Sequence, residues 1–322
     1  MTGPDRDIDI VVVGEINPDI IVADPDPVPI FDEVERVVDA IRVTVGSSSA
    51  IFACGAARLG LRVAFSGVVG DDALGRFMLD AMAERGIDVS ACVIDPLVPT
   101  GATVILTSPS DRAMMTAMGT IGALDVDAVP SSLIARARHL HLGAFYLQDR
   151  SRQRLPAFFA AARERGLTTS FDTNWDPTER WDGGVVETLR ASDVFFPNAA
   201  EARRIARMDD VDEAAVALAT MGAEGRTDGG PVVAVKQGAA GAFAVTAGGP
   251  IVRVPALVVD AIDTTGAGDS FDAGFLRAWL DGGDLRESLE LGVACGAMST
   301  RRLGGVDGQP TIAEARAALA GR

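Results

Sequence analysis

The apolar positions of this chain change period repeatedly along its length. Residues 8–13 (IDIVVV) form a short, mostly β-branched run closed by Gly14, which predicts a buried strand. Helical spacing follows over 50–59, stopped by Gly60, and then a second strand-like run over 62–69 ended by Gly70-Asp71-Asp72. A helix over 73–85 stops at Gly86, and further strands are expected over 139–143, 167–171, 193–196 and 231–235, with helices between them. A strand-like run over 251–259 precedes another helix, and from Leu285 onward helices dominate, interrupted by Leu303-Gly304-Gly305. Such alternation is the signature of βα units around a parallel sheet.

Two stretches break the rhythm. Residues 17–45 contain the Pro-rich run 24–29, and residues 97–121 carry two short strand-like runs, 102–107 and 113–118, around a turn at Ser110-Asp111. Together they read as a small β-structured flap, with two irregular surface loops as the alternative. The Gly-rich stretch 222–230 reads as a mobile loop.

Composition narrows the class. A length of 322 residues allows two domains or one large α/β unit. The 29 basic and 45 acidic residues leave a net charge of −16, which argues against nucleic acid or an anionic membrane as partner. The three cysteines, Cys54, Cys92 and Cys295, make neither a disulfide framework nor a metal-binding pair. With no apolar run near ~18 residues and no signal pattern at the start, a cytoplasmic location is expected.

Ligands of open α/β sheets bind outside the carboxyl ends of the parallel strands. The polar and small residues expected there are Asp19, Gly70-Asp71-Asp72, His141 to Gly143, Asp172 to Asn174, Asn198 to Glu201 and Lys236 to Gly238. The most informative segment is Asp263-Thr264-Thr265-Gly266-Ala267-Gly268-Asp269, which runs into a helix marked by Phe271, Phe275, Leu276, Trp279 and Leu280. Gly266, Ala267 and Gly268 thus lie at a helix N-terminus, where unpaired N–H groups and the dipole attract anions. Asp269 reads either as a dipole-favoured residue of the first turn or as a general base beside a phosphoryl group. Neither GxxxxGK[ST] nor GxGxxG between a strand and a helix is present, which argues against P-loop and dinucleotide-binding proteins.

The segment from Asp263 to Asp269 matches the DTxGAGD signature of the ribokinase-like (PfkB) carbohydrate and nucleoside kinases, which the chain resembles over nearly its whole length. Gly46 through Arg58-Leu59-Gly60 is similar to the family's GGxxxN signature and the helix that follows it, and Gly67 to Gly75 to its next block. Asn198-Ala199-Ala200-Glu201 resembles the NxxE element, and Lys236 to Gly241 the turn before the nucleotide site.

The resemblance implies a single doubly wound α/β domain over 1–322, a mostly parallel sheet flanked by helices, with a small β-sheet lid from segments at about 17–45 and 97–121, transferring phosphate from ATP with Mg²⁺. Asp269 would be the base, and Gly266, Ala267 and Gly268 the anion hole. Asn198 and Glu201 would hold Mg²⁺–ATP, Glu201 through water, with Lys236, Gly238, Gly241 and Val293 on the nucleotide side. Asp19, Gly46, Ser47, Ile51 and Asn174 would face the acceptor. Apart from the resemblance, His141 reads first as a core or rim histidine and second as an acceptor contact, and Arg112 reads equally as an acceptor contact or a solvated turn residue. A monovalent cation such as K⁺ would sit among Asp263, Thr265, Ser299, Arg302 and Gly304. The implied acceptor is a sugar or sugar acid, with a nucleoside as alternative and a non-catalytic regulator as a second one, and the lid suggests a homodimer.

Four positions depart from the family pattern: Ser47 where a second Gly is usual, Ile51 in place of an acceptor-contacting Asn, Asp176 where Arg is frequent, and Val293 in place of Asn. The only two histidines, His139 and His141, are expected to point to opposite faces of their strand, a poor arrangement for a shared metal. Met114, Met115 and Met118 read as lid packing, and the acidic run 209–213 as a solvated helix entry.

Overall fold

A computed structural model describes residues 6–107 and 112–321. Its strands are β1 Ile8–Val13, β2 Pro18–Ala23, β3 Ala40–Val45, β4 Val63–Ser66, β5 Val68–Gly70, β6 Val93–Asp95, β7 Ala102–Thr107, β8 Arg112–Ala117, β9 Ala137–Leu142, β10 Thr168–Phe171, β11 Val194–Phe195, β12 Val232–Lys236, β13 Ala242–Val245 and β14 Val252–Val254. The helices are α1 Ser48–Arg58, α2 Ala73–Ala83, α3 Ser131–Ala135, α4 Leu155–Glu164, α5 Val185–Arg190, α6 Ala199–Ala206, α7 Val211–Ala223, α8 Ala267–Leu280, α9 Leu285–Ser299 and α10 Ile312–Ala320.

An eight-stranded sheet has the order β14-β13-β12-β11-β10-β9-β1-β4. Pairing is parallel from β4 to β12 and antiparallel through β13 and β14. The strand β1 is an unbroken apolar run because both of its faces are covered: Ile10 and Val12 join one core cluster, Val11 and Val13 the other. Helices α1, α8 and α9 pack on the first face, while α4 and α7 contribute Phe159 and Leu218 to the second. Among the described residues no helix is long and apolar enough to cross a membrane.

The two stretches that broke the βα rhythm meet in a second sheet of order β3-β2-β7-β8. Its register sets Asp19, Ile21, Thr103 and Ile105 on one face, with Ile21 and Ile105 buried. The other face carries Ile41, Val43 and Met115, which are 63%, 46% and 56% exposed. Met114 and Met118 are exposed as well, so the three methionines do not pack within the chain as expected. The turn expected at Ser110-Asp111 and the side chain of Arg112 lie outside the described residues.

Three local expectations need correction. The run 62–69 is two strands in different sheets, because the chain at Gly67 passes so close to the end of β1 that a Cβ there would lie 2.6 Å from the Gly14 oxygen. The run 251–259 is a strand only over Val252–Val254, antiparallel to β13, and it stops at Pro255, which has no N–H for a ladder. The Gly-rich stretch 222–230 is pinned rather than loose. Arg226, with its side chain 8% exposed, bonds Asp228 at 2.8 Å and Asp193 at 3.1 Å, and donates to main-chain oxygens of Arg190 and Ser192. The acidic run 209–213 is the expected helix entry, with Asp210 accepting from the N–H groups of Asp212 and Glu213.

Candidate active site

The helix α8 begins at Gly266, whose φ of +70° lies in the left-handed region and turns the chain sharply into the first turn. Amides of that first turn have no acceptor within the helix. Beside it lies a cavity of about 440 Å³ lined by Gly268, Phe271, Val293, Lys236, Gly238 and Gly241, among others. Four residues expected on the nucleotide side therefore share one wall. Gly241 is required there by close approach, since a Cβ would lie 2.1 Å from the Val254 oxygen.

The Asp269 carboxyl lies across the first turn from this cavity, towards Glu15, Ser48 and Asp172. Burial and then the Asp172 carboxylate push it well above the ordinary carboxylate value, with Glu15 adding to the rise. The Lys236 ammonium and a hydrogen bond from Ser48 oppose them. Lys236 ends β12 and donates to Asp172 and, at 3.1 and 3.2 Å, to both oxygens of Asp272.

Asn198 and Glu201 form the capping box of α6. The Asn198 Oδ1 accepts from the N–H groups of Ala200 and Glu201, and Glu201 accepts from the Asn198 main chain at 2.8 Å and its Nδ2 at 2.6 Å. Burial first and Asp172 second push the Glu201 carboxyl up to about 7. With both oxygens already accepting hydrogen bonds, including one from Thr173, Glu201 suits a divalent cation through water rather than directly.

On the other side of α8, Asp19 stands at the start of β2 against Gly46, where a Cβ would lie 2.3 Å from the Asp19 Oδ1. Ser47 explains why its position is usually Gly: its φ is +69°. The side chain compensates locally, accepting from the Ala50 N–H as the N-cap of α1 and donating to the Glu15 main-chain oxygen at 2.6 Å. Asn174, also left-handed at φ +55°, donates its N–H to Asp172 and reaches Ser48 Oγ at 3.5 Å. Asp19, Gly46, Ser47 and Asn174 thus gather around the start of α1.

Ile51 and His141 sit elsewhere. Ile51 is buried, with its side chain close to Gly266 and Gly305. His141 is buried in the sheet core, stacked on Phe52 at 3.7 Å, with its Nδ1 2.8 Å from Ser170 Oγ. His139 bonds the same Ser170, so the two histidines share a face rather than diverging. Strand side chains repeat every second residue, which puts positions i and i+2 on one side. Burial holds both imidazoles in the neutral form, His139 down to about 3.

The remaining departures acquire local reasons. The Asp176 carboxylate is 1% exposed and accepts from Thr178 and from the Trp181 N–H at 2.7 Å, closing the loop after β10. Val293 packs beside Phe271 in the cavity wall. Of the proposed monovalent-cation set, three meet: Asp263 accepts from Thr265 N–H and Oγ1, and from the Gly304 N–H at 2.8 Å. Ser299 is buried and donates to the Gly296 oxygen, and Arg302 is exposed.

Two buried acids escaped the sequence reading. Glu15 follows β1 and accepts from Ser49 Oγ at 2.6 Å and Gln148 Nε2 at 3.1 Å, partners far apart in the chain. Asp272 lies at i+3 from Asp269, a spacing that puts both on one helix face and was the available signal.

The pfkB family carbohydrate kinase pattern matches residues 7–312 of this chain. An ATP-dependent ribose-1-phosphate kinase of Halopiger xanaduensis is 30% identical over 281 residues, spanning 84% of this chain and 85% of that protein. A 2-dehydro-3-deoxygluconokinase of Bacillus subtilis is 29% identical over 270 residues, 80% of this chain and 81% of its own length. Among solved structures, a fructokinase double mutant from Vibrio cholerae O395 with fructose, ADP and potassium bound superposes with a TM-score of 0.79 at 24% identity. It covers 97% of this chain and 98% of its own, and shows the shared ribokinase-like fold.

Proposed function

This chain belongs to the pfkB family of carbohydrate kinases, phosphotransferases with an alcohol group as acceptor, and from that premise we propose that it moves the γ-phosphate of ATP to a hydroxyl of a sugar or sugar acid. The observation that carries this reading is the placement of Asp269. Its carboxyl follows directly on the Gly266-Ala267-Gly268 turn, whose Ala267 and Gly268 line the cavity, and it accepts from Ser48, which Asn174 also reaches.

In this reading Asp269 takes the proton of the acceptor hydroxyl as its oxygen bonds to phosphorus and ADP leaves. The rise of its carboxyl above the ordinary value makes it a stronger base once ionised. The first-turn amides of α8 stabilise charge on the phosphoryl oxygens, which is where phosphoryl transfer gains most. Asn198 and Glu201 would hold Mg²⁺, which neutralises phosphate charge when bound. Asp263, Thr265 and Gly304 would place K⁺ beside the anion hole. Asp19, Gly46, Ser47 and Asn174 would orient the acceptor hydroxyls.

The test is ATP consumption with ribose, ribose 1-phosphate, fructose, 2-keto-3-deoxygluconate, adenosine and inosine, each with and without excess chelator. A sugar or sugar acid is expected to be turned over, and only when Mg²⁺ is present. Preference for a nucleoside would replace the acceptor class. ATP binding without turnover on every acceptor would favour a regulator, and unchanged turnover in chelator would remove the metal.

The exposed apolar face of the second sheet, with Ile41, Val43 and Met115, is proposed to pair with the same face of another copy. Sedimentation at micromolar concentration is expected to give a dimer that Val43→Lys dissociates. A monomeric parent protein would dismiss it.

A further inference from the structure

The buried charges behind the anion hole are more numerous than the proposed reaction uses. The Lys236 side chain is 13% exposed, and its ammonium is shared between Asp172 at the end of β10 and Asp272 on α8. Asp272 is 1% exposed. The ammonium lies against the anion hole itself, since a Cβ on Gly268 would be 3.4 Å from Nζ. A single cation therefore ties the parallel sheet to the helix that carries Asp269, within one helical turn of that residue.

We propose that Lys236 and Asp272 are a positioning pair that fixes the place and charge state of Asp269. This rests on the reading of Asp269 as the base. Charged and polar groups face Asp269 from every element packed around it: Glu15 after β1, Ser48 of α1, Asp172 after β10, Lys236 of β12 and Asp272 on its own helix. Glu201 of α6 acts on the same ammonium. Lys236 is the cation in this set, so its position decides how strongly the proton on Asp269 is held. Asp272 and Asp172 keep that cation behind the anion hole instead of letting it pair fully with Asp269. A fully paired Asp269 would be ionised but weakly basic, while one with no cation nearby would stay protonated. The shared ammonium opposes the rise that burial and Asp172 cause.

The signs follow from Coulomb's law. Burial raises the Asp272 carboxyl as well, and the Lys236 ammonium 3.1 Å away opposes that rise. Asp272→Asn takes away the charge this contact holds and frees Lys236, so the carboxyl of Asp269 should lose its proton at lower pH. Lys236→Met removes the positive charge, so that carboxyl should lose its proton only at higher pH. Lys236→Arg keeps the charge, so the Asp269 carboxyl should titrate on the same side of the Lys236→Met midpoint as the parent. The measurement is a carbon-13 NMR titration of the Asp269 carboxyl in the full-length protein, the signal being assigned by its absence from Asp269→Asn. Alongside it, the acid limb of kcat/KM for the best acceptor of the panel, at saturating Mg²⁺–ATP, should move in the same directions.

Opposite shifts of the two variants support the pair. Shifts in one direction, or none, would overturn it, because a purely structural role lowers stability without moving the midpoint. If one variant does not fold, judged by circular dichroism and loss of a cooperative thermal melt, the sign of the other decides. An Asp269→Asn protein that still turns over the panel would remove the base assignment while leaving the titration result standing, so the two failures are separable.

Discussion

Exchange of Asp269 for Asn is expected to lower kcat by about 10²–10⁴-fold, the range for loss of a positioned general base, with ATP affinity largely kept. Asn matches Asp in shape and preserves the packing of the first turn of α8, so the lost function is proton acceptance. The cavity on the nucleotide side is lined by Gly268, Phe271 and Val293 without the Asp269 side chain, which is why nucleotide binding should survive. Calorimetric titration with ATP and steady-state kinetics on the same preparation separate the two effects. An Asp269→Asn enzyme with near-parental kcat would sink the mechanism.

Gly266→Ala should be comparably severe for a different reason. At φ +70° any side chain carries a backbone cost of about 1–2 kcal/mol. Here the new Cβ would also lie 2.8 Å from Ile51 Cγ2 and 2.9 Å from the Gly305 oxygen, and a main-chain carbonyl yields poorly. Relief has to come from the turn itself, which would swing the amides of α8 away from the phosphoryl site. A fall in kcat of about 10²–10³-fold is expected, similar to removing an oxyanion-hole donor. Gly248 provides the control, because it shares φ +70° but has nothing within 4 Å. Gly248→Ala should lower thermal stability slightly and leave kcat alone. Equal kcat losses in the two variants would refute the steric argument.

The readings that transferred well from sequence were local ones. The strand β1 could be read because six consecutive residues are buried on both faces. The turn Gly266-Ala267-Gly268 could be read because glycine spacing and helical periodicity meet within a few residues. The strand break at Gly67 was not visible, since it depends on how near Gly14 comes in space. Ile51 shows the same limit: its identity suggested an altered acceptor contact, but α1 packs on α8 and turns that position under Gly266. The two histidines were misplaced for a simpler reason, a strand period applied with the wrong parity.

The sequence by itself determined the βα alternation, the family, and the helix N-terminus bearing Gly266, Ala267, Gly268 and Asp269, because these rest on short-range periodicity and backbone freedom. Tertiary structure alone decided which buried charges share a cation. Asp172, Lys236 and Asp272 are separated by 64 and 36 positions in the chain, yet their side chains meet behind one helical turn. Glu15 and Gln148 meet across 133. Burial makes such charges costly unless they are paired, and pairing between strands and helices is a property of the packed sheet, with no counterpart in local spacing.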